Sequence, residues 1–105
     1  MENRKKFVIV ALVPALLLFS GCVGQQHPAT DACIRLCNDE RSSGRDLSNG
    51  PCLSNEIVKD WVCDVAHEPR AAVDDDTANQ CPAYGEGRAT HFVEVTPECK
   101  FIRAL

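Results

Sequence analysis

The chain has 105 residues, with 15 acidic side chains against 11 lysines and arginines and a formal net charge of −4. One small domain is therefore the ceiling. Glu2, Arg4, Lys5 and Lys6 contribute +2 to that charge, so the chain beyond them carries −6. This acidity opposes binding to phosphate backbones or anionic headgroups. With no basic stripe and no aromatic residues interleaved with Arg or Lys, nucleic acid is excluded as a partner.

At the amino terminus Arg4, Lys5 and Lys6 precede an apolar run of 13 residues, Phe7 to Phe19. A signal-peptide core takes roughly 7–15 apolar residues and a membrane-spanning helix about 20, so the run reads as an export signal. It ends in Leu18-Phe19-Ser20-Gly21-Cys22, which resembles the lipobox of prokaryotic lipoproteins, although Phe19 stands where Leu is usual. The resemblance implies removal of residues 1–21, lipid attachment to Cys22, and a protein held on the outward, extracytoplasmic face of the cell membrane. Residues 22–30 lack hydrophobic periodicity and read as a flexible tether, with His27 a solvated linker residue.

Of the seven cysteines, Cys22 has this separate fate, which leaves Cys33, Cys37, Cys52, Cys63, Cys81 and Cys99. Six cysteines in so short an exported segment predict three disulfides. Spacing does not give the connectivity, with one restriction. Cys33 and Cys37 lie four apart in a predicted helix, where Cβ atoms sit about 5–6 Å apart while a disulfide requires about 3.8 Å, so they should belong to different bridges.

Thr30 or Asp31 is suited to cap that helix, which should run to about Ser43 and end at Gly44. Residues 44–55 are turn-rich, with Asn49-Gly50-Pro51 leading into Cys52. Alternation then predicts two strands: one with Trp61, Cys63 and Val65 on a common face, and one with His91, Val93 and Val95 on a common face. A third short strand is expected around residues 99–102. Between the two strands lies a long polar segment, residues 67–88, tied down by Cys81. Its Asp74-Asp75-Asp76 run with Asn79 lacks the pattern of an EF-hand and reads as a solvated acidic loop.

The expectation is an α+β domain over residues 31–105, stapled by disulfides and rich in loops. One N-terminal helix should pack on two or three short antiparallel strands. The segments Asp46–Ser54, Trp61–His67 and His91–Val95 are similar to those of small exported cysteine-rich proteins of archaea, a likeness that implies compartment and cysteine pattern but no activity.

No nucleophile elbow, phosphate loop or catalytic signature occurs, so no catalytic residue and no cofactor is assigned. The favoured function is a non-enzymatic binding module. Its surface should lie near Trp61, His67 and Tyr84, because the Cys63–Cys81 segment is polar and covalently fixed at both ends. The alternative is a metal-binding or thiol redox protein built on Cys33 and Cys37 or on His67 and His91.

Overall fold

A computed structural model describes residues 27–105. The expected export signal, Cys22 and the first part of the expected tether lie outside the described residues. The chain forms α1 (Pro28–Ser42), β1 (Cys52–Val58), β2 (Trp61–Val65), two 3-10 turns (Ala72–Asp75 and Thr77–Asn79), the one-turn helix α2 (Pro82–Gly85), β3 (His91–Val95) and β4 (Phe101–Ala104).

Helix α1 begins earlier than the sequence suggested. Pro28 occupies its first turn, where a missing N–H costs nothing, and His27 rather than Thr30 or Asp31 is the N-cap. The His27 Nδ1 accepts a hydrogen bond from Ala29 N–H at 3.0 Å. Residues 28–30 therefore belong to the domain and not to the tether, and Ala29 and Thr30 are buried. The helix ends as expected at Gly44, whose φ of +92° suits glycine. The Arg45 N–H bonds to Glu40 O and the Gly44 N–H to Arg41 O, a Schellman arrangement that satisfies the last carbonyls.

The sheet has four strands in the order β1-β2-β3-β4. The α+β class and the disulfide staples are as expected, but the sheet is mixed. β1 with β2 and β3 with β4 are antiparallel, whereas β2 and β3 run parallel with Trp61 opposite His91 and Asp64 opposite Glu94. Parallel neighbours need a crossover of a dozen residues or more, and residues 66–90 supply it. β1 arises where a turn-rich segment was expected, joined to β2 through Lys59 and Asp60, the latter in the left-handed region at φ +72°.

Alternation sends two kinds of side chain to the two faces of the sheet. On one face Cys63, Val65, Val93 and Val95 pack against Ala29, Cys33 and Cys37 of α1, with Leu47 and Cys99 closing the core. On the other, Val62 packs with Cys81, Ala83 and Ala89, with Cys52 and Phe92 against them, so the crossover covers part of the second face. The core holds no side chain larger than valine among its most deeply buried members. Apolar burial of this size gives marginal stability on its own, and the disulfides fill the deficit. They join Cys33 to Cys63, Cys37 to Cys99 and Cys52 to Cys81. Cys33 and Cys37 thus lie in different bridges, pinning α1 to β2 and to the turn before β4, while the third bridge pins the crossover to β1.

Candidate functional site

The three residues singled out for a binding surface are placed apart. Trp61 stands at the start of β2 between two imidazoles, with ring centroids 4.2 Å from His27 and 4.6 Å from His91. His67 lies beyond the other end of β2, where its backbone N–H and its Nδ1 each meet the Asp74 carboxylate at 2.9 Å. Tyr84 projects from α2 on the face of the sheet opposite α1. The parallel register also puts His91 and His67 at opposite ends of the β2–β3 pair. Cys33 and Cys37 are bonded to other sulfurs. No group of three or more His, Cys, Asp or Glu side chains among the described residues is arranged to hold a metal ion.

The acidic run is not uniformly solvated. Asp75 meets Arg70 at 3.0 Å on the surface, and Asp76 caps the second 3-10 turn through Ala78 N–H. Asp74, by contrast, is buried, with 4% of its surface exposed. It organises the crossover: Oδ2 accepts from Ala71 N–H and His67 N–H, and Oδ1 contacts the His67 ring. Its carbonyl accepts from Arg70 Nη2 and Gln80 Nε2. Burial pushes the Asp74 carboxyl upward, but the bonds from Ala71 and His67 outweigh it and hold the group below the ordinary carboxylate range.

These contacts shape a cleft of about 210 Å³ between the sheet and the crossover. Its floor is Val62 and Asp64 of β2 with Phe92 and Glu94 of β3, the residues that alternate with the α1-facing set. Tyr84 meets Phe92 edge-on at 5.2 Å, and the Arg103 guanidinium from β4 lies 5.8 Å over the Phe92 ring. Glu94 is buried and fully engaged, with Oε1 bonded to Arg103 Nε at 2.9 Å and Oε2 facing Arg70 Nη1 at 3.5 Å.

Asp64 differs from both other carboxylates. Its Oδ1 is shielded from solvent and has no hydrogen-bond partner. The adjacent Val65 N–H donates to Pro51 O at 3.0 Å. Burial first, then the neighbouring charges of Glu94 and Asp74, push the Asp64 carboxyl up to about 8, against smaller opposing pulls from Arg70 and the Val65 backbone N–H. At neutral pH the side chain is therefore mostly protonated.

Sequence reasoning missed Asp64, Arg70, Phe92, Glu94 and Arg103. The signal was present at two of them, since an acidic residue falls inside each of two alternating strands, at a position facing away from the helix. No known protein family, curated protein or solved structure matches the chain.

Proposed function

We propose that the protein is a lipid-anchored extracytoplasmic binding module, non-enzymatic, whose ligand sits in the cleft between the sheet and the crossover. The observation that carries the reading is the cleft itself, which combines an aromatic wall with a carboxyl group that has one oxygen left without a partner. Its walls come from β2, β3, β4 and a crossover fixed by Cys81, so little ordering entropy is lost on binding. Its volume lies below the roughly 300 Å³ at which drug-sized pockets begin, which suits a side chain or a similarly small group. The export signal, the lipobox-like Leu18–Cys22 and the three disulfides support the compartment. Two Arg residues hold both oxygens of Glu94, which favours a positioning role for this carboxylate over chemistry.

The test is a chemical-shift map of the complete chain carrying Cys22→Ala, exported so that the bridges form. Mixtures of small amines, carboxylates, saccharides and short peptides are added in turn. The reading expects one class to move Val62, Tyr84, Phe92 and Arg103 together and to leave the Trp61 end unchanged. If no class does so, and Tyr84→Ala also leaves recovery of envelope partners unaltered, the cleft is not a binding site.

A further inference from the structure

The carboxylates around the cleft are unequal in what they can still accept. Both oxygens of Glu94 are taken by arginines, and both oxygens of Asp74 are taken by His67 and Ala71. Asp75 is paired with Arg70 at the surface. Asp64 alone among these carboxylates lines the cleft and also has an oxygen, the solvent-shielded Oδ1, that nothing satisfies. A buried polar atom without a partner is costly, and such atoms in native folds call for an explanation. With Asp64 ionised, the charges lining the cleft balance, Asp64 and Glu94 against Arg70 and Arg103, and buried Asp74 behind the lining adds a further negative charge close to Asp64. The remaining wall is apolar or neutral: Val62, Phe92 and Tyr84, with Gln80 at one side.

Resting on the binding reading above, we infer that the cleft takes a primary alkylammonium group on a short apolar stem, its charge against Asp64 and its methylenes against Phe92 and Tyr84. The same chemistry is carried by a free amine and by a lysine side chain of a peptide. An ammonium supplies what Asp64 lacks, a donor and a positive charge, and aromatic faces attract cations in their own right. A neutral hydroxyl supplies only the donor, and an anion would bring a further negative charge to the side of the cleft where Glu94 and Asp74 already act on Asp64. The charged groups that act on Asp64 are Glu94 from β3, Asp74 from the first 3-10 turn and Arg70 from the crossover, and Arg103 from β4 and Tyr84 from α2 line the same cleft. Asp64 must release its proton to hold the ammonium, so binding is coupled to proton release.

The experiment measures binding of four probes to the complete chain carrying Cys22→Ala: n-butylammonium, Nα-acetyl-lysine amide, n-butanol and methyl glucoside. It is run from pH 6 to pH 9 by shifts of the Tyr84, Phe92 and Arg103 resonances. The amines should bind, with an affinity that falls about tenfold for each pH unit below about 8, and the neutral probes should not. Asp64→Asn should weaken the amines at least tenfold while keeping all three disulfides and an undiminished melting temperature. Binding of n-butylammonium without the lysine derivative identifies a free amine as the source, and binding of both admits a peptide. Neutral probes seated in the cleft while the amines are not would overturn the ammonium inference and leave the binding reading standing. Amine binding that Asp64→Asn does not change, or that does not depend on pH, overturns it as well. Failure of all four probes overturns it too, and the broader mixtures described above then judge the binding reading separately.

Discussion

Three residues, Asp64, Asp74 and Gly50, each leave a pH or steric signature on stability. The Asp64 carboxyl is protonated in the folded protein up to about pH 8, whereas in the unfolded chain it ionises near 3.8. A raised folded pKa on an acid means that the native state binds the extra proton, so this group makes stability fall as pH rises from about 4 toward 8. Asp64→Asn keeps the shape and removes the charge. Chemical denaturation should show the variant more stable than the parent at pH 8, by several kcal/mol, with the difference vanishing near pH 4. Asp74 has the opposite sign: its lowered pKa contributes stability above about pH 4, lost as pH falls through its folded value. Gly50 is held next to it. At φ +68°, a Cβ there would lie 2.7 Å from Asp74 Oδ1 and 3.0 Å from Val65 O, and Asp74 is pinned by its own bonds. Gly50→Ala should therefore cost about 2 kcal/mol or more, read as a drop of roughly 10 °C in thermal melting.

At the level of elements, the disulfides divide into those that hold the core and one that also holds the cleft. The bridges span 30, 62 and 29 residues of sequence, and loop-closure entropy grows so slowly with length that each is worth roughly 3–4 kcal/mol. Removing Cys37–Cys99 or Cys52–Cys81 by paired alanines should thus destabilise by similar amounts in denaturant titrations. Only loss of Cys52–Cys81 should also disturb the resonances of Tyr84, Phe92 and Arg103, because Cys81 lines the cleft and leads into α2. The same elements mark what could be read without coordinates. Periodicity and the Gly44 stop showed α1, though not its first turn or its His27 cap, and alternation showed the α1-facing sides of β2 and β3, since these signals are local. β1 was hidden because Ser54, Asn55 and Glu56 are polar, the last two exposed, and its pairing with β2 is irregular. What makes Cys52–Val58 a strand is its neighbour and not its own propensity. Alternation assigns a face but not a direction, so the parallel pairing of β2 with β3 was legible only in the length of the 66–90 connection. The cleft depends on that pairing, which sets Asp64 beside Glu94, and so it was legible only as two acidic residues on the wrong face of apolar strands.

For the whole molecule, the structured part and the proposed anchor make separate demands on the cysteines. The three bridges use six of the seven, and each sulfur in them is bonded within the domain. Cys22 is therefore left over for another role, which is what the lipobox-like segment before it suggests. Because α1 starts at Pro28, only residues 23–27 separate Cys22 from the domain, a reach of at most roughly 18 Å when fully extended. A lipid there would hold the domain close to the bilayer by its His27 and Trp61 end. The cleft, on the sheet face away from α1, would remain open to the side. Two acyl chains anchor a protein stably where one gives only marginal binding, at about 0.8 kcal/mol for each buried methylene. Cys22→Ala should accordingly move the protein from the membrane pellet to the soluble fraction, with all three disulfides intact by peptide mapping under non-reducing conditions. Intact mass of the parent should show loss of residues 1–21 and the addition of lipid. A variant that sediments with membranes as firmly as the parent would show that the anchor lies elsewhere, in the apolar Phe7–Phe19 run retained as a membrane segment.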